Sequence, residues 1–214
     1  MKDCGPAGRP AAGADPQKRD QILDGAKKVF MQKGFDAASM NDITREAGVS
    51  KGTIYVYFQN KEELFAALIE TERARIVASA RHALDEDEPV RTALFQFGVA
   101  LVTGMSAEYT VQAMRTVIGV IDRMPGLAVR FFAAAPESGY TVLKSYLDRN
   151  VAEGTLIIED TGFAAQQFLS LCSAGIFKHR LFGVLANPPE SQQIERTVRA
   201  GIDMFMAVYA SEKH

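Results

Sequence analysis

The stretch SMNDITREAGVSKGTIYVYFQNKEELF, residues 39–65, decides the fold expected for this chain of 214 residues. Ser39 is placed to cap a short helix that Gly48 ends, and Ser50 to cap a second helix over residues 51–58. Two short helices joined by a brief turn that contains glycine have the spacing of a helix-turn-helix. The stretch therefore predicts an element that binds DNA.

The second of these short helices is predicted to have a buried and an exposed face. Successive residues of an α-helix advance by about 100°, which turns Ile54 and Phe58 inward together. Gly52 and Val56 then point away from the core. Such a face suits a major groove, because Gly52 permits close approach of the backbone and Val56 can pack on a thymine methyl. Tyr55, beside them, is expected to contact a base edge or a phosphate.

Phosphate contacts are expected at the flanks of the same element. Thr53, Tyr57 and Lys61 carry donors or positive charge at positions suited to binding phosphates. The helices capped by Ser39 and Ser50 offer main-chain N–H groups to the same anions. The alternative is that all of these are ordinary surface or core side chains. It is weakened by the two large apolar groups that so short a helix would leave exposed.

Helical periodicity runs through the rest of the chain, and no stretch alternates as a strand would. The first helix is expected over residues 18–33, ended by Gly34 in the left-handed conformation. Asn60 and Glu63 form a capping box for a fourth helix that continues to about Leu84. Further helices are expected over residues 90–105, 109–122, 126–134, 136–153, 161–183 and 190–211.

Composition indicates a globular protein, with 47% apolar and 23% charged residues. No apolar run is long enough to predict a membrane span. Residues 1–16, rich in Gly, Ala and Pro and without an apolar core segment, are expected to form a disordered arm and not a secretory signal. The two cysteines, Cys4 and Cys172, are distant and unlike in setting, which favours a reducing cytoplasm and no thiolate metal site.

Charge is distributed unevenly along the chain, although the formal net charge is only −2. Residues 1–60 contain nine Lys and Arg against seven Asp and Glu, a net of +2. Residues 61–214 contain fifteen against nineteen, a net of −4. The asymmetry has the sign expected of a DNA-binding head on an acidic body.

The motifs of the head carry a family resemblance. AGVSKGTIYVYFQNKEELF (47–65), preceded by KGFDAASMNDI (33–43), resembles the N-terminal domain of the TetR family of one-component regulators. The resemblance implies an all-α chain: a three-helix DNA-binding domain over residues 17–64, then a long connecting helix and a helical domain within residues 65–214 that binds a ligand and dimerises. Residues 124–175 are similar to the C-terminal domain of the AefR-like branch of the family.

Carried over by position, the resemblance also adds two contacts to those expected from the helix wheel. Lys51 would lie at the base-reading end of the second helix, and Asn41, at the start of the preceding helix, would contact a base or a phosphate. The predicted DNA contacts are Ser39, Asn41, Ser50, Lys51, Gly52, Thr53, Tyr55, Val56, Tyr57 and Lys61.

The resemblance implies a homodimer formed by the last two major helices of each protomer, here residues 137–153 and 161–183. Two heads about 34–36 Å apart reach successive major grooves and require a near-palindromic operator. Apolar side chains at i, i+4 spacing on these helices are the candidate interface, although packing inside one chain would give the same stripes. The candidates are Leu143, Leu147, Phe168, Cys172 and Ile176.

A small apolar or amphipathic effector is expected to bind in the C-terminal domain, between the connecting helix and the helices over residues 90–153. By changing the spacing of the heads it would release a repressor from its operator, with a ligand-independent regulator or an activator as the alternative. Ordinary core packing is the alternative for each candidate pocket residue. The candidates are Phe97, Met105, Met114, Arg115, Phe131 and Tyr140.

Other classes of function have less support. The three histidines, His82, His179 and His214, have no metal-ligand spacing, and the chain lacks the common catalytic and phosphate-binding motifs, so neither an enzyme nor a cofactor or metal site is expected. A protein that coats DNA without sequence preference relies on positive charge, which this head has in small excess only.

Overall fold

The structure, a computed structural model, describes residues 13, 15–84, 87–123, 126 and 138–211, and it divides into two compact units, Met1–Ile69 and Glu70–His214. The described residues form helices and no strand; Leu156 and Ala210 make a single isolated bridge. The prediction of an all-α fold is therefore confirmed. The described helices are α1 Pro16–Ala37, α2 Met40–Ala47, α3 Lys51–Tyr57, α4 Lys61–His82, α5 Val90–Ser106, α6 Glu108–Val120, α7 Gly139–Ala152, α8 Thr161–Cys172, α9 Phe177–Leu181 and α10 Ser191–Tyr209.

The first unit packs α1, α2, α3 and the start of α4 around an aromatic centre. The rings of Phe30, Phe35 and Phe65 lie with centroids 4.9–5.8 Å apart, and all three side chains are buried. Helix α1 starts earlier than expected, at Pro16, because the Asp15 carboxylate accepts hydrogen bonds from the first main-chain N–H groups. The rest of the predicted arm lies outside the described residues except for Gly13.

Helix α1 does not end at Gly34 as expected. Gly34 has φ 75° and ψ 171°, so its φ is positive but its ψ is far from that of a left-handed helical cap, and the helix resumes to Ala37 beyond the kink. The kink turns Phe35 inward onto Phe30 and Phe65. Glycine is required here by the positive φ, as predicted, but it redirects the helix and does not end it.

The second unit has its own core, in which α5, α8 and α10 pack against one another. Phe97, Phe168 and Phe205 form its centre, with ring centroids 6.1 and 5.3 Å apart along the series. Gly98 allows the close approach of α10, because a Cβ at this position would lie 2.7 Å from Cγ1 of Val198. These contacts join residues more than 35 positions apart.

Two predicted helices of the second unit have different limits. The expected helix over residues 161–183 is interrupted, since Gly175 has φ 72° and separates α8 from the short α9. The helix expected over residues 136–153 begins at Gly139, where the Ser138 side chain caps it. The helix expected over residues 126–134 lies outside the described residues apart from Gly126.

The side chains expected at the dimer interface lie instead in the core of the single chain. Leu143, Leu147, Phe168 and Cys172 are fully buried, and Ile176 is 1% exposed. A side chain already buried within one protomer has little surface to offer a second copy, so the burial of these five residues favours the alternative of core packing. Burial also raises the pKa of the Cys172 thiol to about 12.

Among the described residues, no single helix has the length and apolar composition to cross a membrane; only α5 and α6 taken together, bent by 60° at their junction, meet those criteria.

Candidate nucleic-acid interface

Both ends of α2 are fixed by local hydrogen bonds. The Ser39 hydroxyl accepts from the Asp42 N–H at 3.2 Å, and the Asp42 carboxylate accepts from the Ser39 N–H, which completes a capping box. At the other end Gly48 is left-handed (φ 63°, ψ 36°), and Gly48 and Val49 donate to the carbonyl groups of Arg45 and Thr44. The predicted caps at Ser39 and Gly48 are confirmed.

Helix α2 lies unusually close to α1 at one point. A Cβ on Gly25 would lie 2.7 Å from the Cβ of Ala47 and 2.8 Å from its main-chain N and Cα atoms. The Gln21 side chain donates from Nε2 to the Ala47 carbonyl oxygen at 2.6 Å. Gly25 and Gln21 were not identified as important from the sequence. The only signal was a glycine in the middle of an amphipathic helix.

An acidic side chain in the first turn of α2 joins it to α1. Asp42 accepts from the Lys33 ammonium at 2.7 Å and from the Arg45 guanidinium at 2.9 Å. Hydrogen bonds from Lys33 and from the Ser39 hydroxyl hold the pKa of the Asp42 carboxyl well below its usual range. The positive charge of Lys33 is thereby directed onto the protein.

The two faces of α3 lie as the helix wheel predicts. Ile54 and Phe58 are buried, at 0% and 3% exposure, whereas Tyr55 and Val56 are 45% and 52% exposed. Gly52 is exposed, and among the described residues a Cβ there would meet only the Ser50 hydroxyl, at 3.8 Å. The open side of α3 is therefore formed by a glycine and two large apolar or aromatic groups.

The start of α3 is capped as predicted. The Ser50 hydroxyl accepts from the Thr53 N–H at 3.0 Å and shares a hydrogen bond of 2.7 Å with the Thr53 hydroxyl. Of the ten residues predicted to contact DNA, seven are exposed and three partly buried. The partly buried ones are Thr53, Tyr57 and Lys61.

Lys61 is placed differently from the other predicted contacts. Its ammonium donates to the carbonyl oxygens of Phe35, Asp36 and Ala38 at 2.7, 3.2 and 3.1 Å, and it lies 4.5 Å from the Phe35 ring centroid. An ammonium has three N–H donors, so all three are engaged by the end of α1. To contact a phosphate as predicted, the Lys61 ammonium must exchange hydrogen bonds to these carbonyl groups for hydrogen bonds to the phosphate. The predicted cap of α4 is present, with Glu63 donating from its N–H to Asn60 at 2.8 Å.

Five of the six residues predicted to line a ligand pocket lie in the described part of the chain, and they differ in burial. Phe97 is buried at the core centre and Arg115 is exposed, while Phe131 lies outside the described residues. Met105, Met114 and Tyr140 are partly buried on three different helices, α5, α6 and α7. A cavity of about 520 Å³ in the second unit, with Tyr146, Asn150 and Met206 in its wall, includes none of these five described residues.

Comparison with known proteins identifies both parts of the chain. The family model described as "Bacterial regulatory proteins, tetR family" matches residues 22–68, which contain α2, α3 and the turn between them. The model described as "AefR-like transcriptional repressor, C-terminal domain" matches residues 92–211, more than half of the chain. The chain belongs to the TetR family. The family and branch expected from the sequence are thus confirmed, and with them a transcriptional regulator and not an enzyme.

Individual relatives agree with membership of the TetR family. The transcriptional activator FasR of Mycolicibacterium smegmatis is 35% identical over 85 residues, 38% of this chain and 39% of FasR, and the chain matches less than half the length of the first curated relatives. The structure of a putative TetR-family regulator from Mesorhizobium loti matches 91% of this chain and 98% of its own length. Its TM-score is 0.83 and its sequence identity to this chain is 25%. The flavonoid-responsive regulator FrrA covers 92%, is itself covered completely, and has a TM-score of 0.70 and 29% identity.

Proposed function

We propose that this TetR-family chain binds one DNA operator in a sequence-specific manner by inserting α3 into the major groove. The observation that carries the proposal is the exposure of Tyr55 and Val56 on a helix of only seven residues whose opposite face, at Ile54 and Phe58, is buried. The proposed DNA-binding domain is 17–64. Its proposed contacts are Ser39, Asn41, Ser50, Lys51, Gly52, Thr53, Tyr55, Val56, Tyr57 and Lys61.

The test is a titration of the purified protein against DNA fragments from around its own gene at about physiological salt. A specific fragment should bind at least about 10³-fold more tightly than random DNA. Tyr55→Ala should remove the preference and Val56→Ala should change the preferred bases. Ile118→Ala, which removes an equally exposed apolar group from α6, is the control and should bind as the unaltered protein does. Equal affinity for all fragments, or no effect at Tyr55, would contradict the proposal.

We also propose that two copies bind a near-palindromic operator as a homodimer, through residues 65–214. The support is an apolar face shared by α8 and α10, where Phe163, Met204 and Val208 are 56%, 60% and 70% exposed and line a groove of about 460 Å³. These residues replace the five buried candidates. Two protomers are needed because one short helix reaches too few bases for tight, selective binding.

The oligomeric state tests this interface directly. Val208→Glu together with Met204→Glu should turn the dimer into a monomer in analytical ultracentrifugation and should weaken operator binding. Ile118→Glu introduces one such charge at an exposed apolar position of α6 and should leave the dimer intact. A dimer that survives the double substitution would refute this choice of face.

We propose that the chain represses transcription and that a small apolar or amphipathic ligand relieves this repression. Two comparisons support it: the C-terminal family model is described as a transcriptional repressor, and FrrA is named as flavonoid-responsive. The relative FasR is an activator, which keeps activation as the second candidate. A reporter gene behind the identified operator distinguishes them, since deletion of the regulator raises expression from a repressed promoter and lowers it from an activated one. Chromosomal operators imply a cytoplasmic location.

A further inference from the structure

A buried arginine forms hydrogen bonds to both sides of the junction between α5 and α6. Arg180, on α9, is 1% exposed, and its Nε donates to the carbonyl oxygen of Ser106, the last residue of α5, at 3.1 Å. Its Nη2 donates to the carboxylate of Glu108, the first residue of α6, at 2.5 Å. Its Nη1 donates to the carbonyl oxygens of Leu185 and Ala186 at 2.9 and 2.6 Å. One guanidinium therefore joins the end of α5, the start of α6 and the loop after α9.

A second arginine makes the reciprocal connection. Arg115, on α6, donates from Nη2 to the carbonyl oxygen of Arg180 at 2.7 Å and from Nε to that of Leu181 at 2.9 Å. These are the last carbonyl groups of α9, where a cation is favoured by the helix dipole. Because Glu108 and Arg115 are two helical turns apart, they lie on the same side of α6. We call the set Arg115, Arg180 and Glu108 the arginine clamp.

The junction held by the clamp packs against α4 within the second unit. A Cβ on Gly104 would lie 2.8 Å from Cγ2 of Ile76, so α5 and α4 are in close contact there. Burial, together with the nearby charge of Glu72, raises the pKa of the Tyr109 hydroxyl on α6. Residues 72–76 belong to the same continuous helix that begins at Lys61. Residues on both sides of the junction therefore lie next to this part of α4.

We propose that the arginine clamp holds the α5–α6 junction against residues 72–76 of α4 in the position that operator binding requires. The inference rests on the proposed function. Arg180 and Arg115 act as positioning residues, since neither is among the proposed DNA contacts. Removing a guanidinium from water costs free energy unless the group is fully paired, and apolar side chains fill a buried space at a lower cost in free energy. The planar guanidinium has several donors and can hold three segments in place, which an apolar residue cannot do.

The test uses the full chain and two substitutions that spare the buried Arg180. Glu108→Gln keeps the shape of the carboxylate but removes its charge, and Arg115→Met keeps much of the volume of an exposed side chain. Arg91→Met is the control, because it breaks an exposed ion pair with Asp203 of 2.5 Å on the same unit, away from the junction. Operator affinity, affinity for random DNA, melting temperature and amide hydrogen exchange are measured for each variant.

Both clamp variants should lose roughly fivefold or more in operator affinity, the lower end of typical allosteric coupling. Exchange should accelerate at the first turn of α6 and at residues 72–76, while exchange within residues 22–58 and affinity for random DNA stay unchanged. A merely structural role would lower the melting temperature without moving operator affinity, and that result would overturn the proposal. Operator affinity equal to that of Arg91→Met would do the same.

The failure of this inference and that of the proposed function give different results. If the unaltered protein binds no fragment selectively, the proposed function fails and the clamp proposal fails with it. If binding is selective and depends on Tyr55 but both clamp variants bind normally, only the clamp proposal fails.

Discussion

Gly25 is the position at which the packing of the DNA-binding head is most sharply tested. Replacing it by alanine adds one carbon atom 2.7 Å from the Cβ of Ala47 and 2.8 Å from its N and Cα atoms. Carbon atoms in favourable contact lie about 3.5–4.0 Å apart, so the new atom is roughly 1 Å too close. Because two of the three neighbouring atoms belong to the main chain, no side-chain rotation relieves the clash and α2 must move.

The expected magnitude combines two opposing effects. Alanine is favoured over glycine inside a helix by about 1 kcal/mol. Overpacking of a filled interior costs about 1–3 kcal/mol, and a clash with the main chain belongs at the upper end of that range. We therefore expect Gly25→Ala to lower the free energy of unfolding of the head by about 2 kcal/mol, against the direction of its helix propensity.

Urea denaturation followed by circular dichroism measures the change, and hydrogen exchange in α1 and α2 assigns it to the head. Gly119→Ala is the matched control: Gly119 lies in α6, and a Cβ there meets no atom of the described residues within 4 Å. This control should gain up to about 1 kcal/mol by reducing the freedom of the unfolded chain. Equal or greater stability of Gly25→Ala relative to the unaltered protein would refute the packing described for α1 and α2.

Three further predictions concern other parts of the chain. The Cys172 thiol, buried and with its pKa raised to about 12, should resist alkylation at about pH 8 in the native protein and react after unfolding; native labelling of Cys172 by mass spectrometry would contradict this. The lowered pKa of the Asp42 carboxyl contributes stability that is fully present above the pKa of the unfolded chain, about 3.9, and is lost as the pH falls further. The melting temperature of Asp42→Asn should therefore decline less steeply in acid than that of the unaltered protein. Parallel curves of melting temperature against pH for the two proteins would count against the assigned hydrogen bonds. Ser50→Ala removes the cap of α3 and should cost the head about 1 kcal/mol in urea denaturation, and no measurable loss would show that the cap is dispensable.

The DNA-binding head was predicted in detail because its signals are local. Caps at Ser39 and Ser50, the left-handed Gly48 and the inward turn of Ile54 depend on residues within four positions of one another. The interactions between helices were not predicted. The contact of Gly25 with Ala47 and the bonds from Lys61 to the end of α1 join positions more than 20 residues apart.

The second unit shows the same division more strongly. Leu143 and Phe168 carry the apolar spacing of a helix face, but the same spacing serves a core and an interface, and only their burial within one chain assigned them to the core. Phe163, Met204 and Val208 are no more apolar than these residues, yet they are exposed because of the way α8 and α10 pack.

The sequence by itself determined the helical fold, the family and the two faces of α3, because periodicity and capping act between near neighbours along the chain. Tertiary structure alone decided which apolar residues are available to a second copy, and it alone placed Arg180 between α5, α6 and the loop after α9. Burial and the pairing of a buried charge depend on which distant segments meet, and no local pattern specifies that meeting.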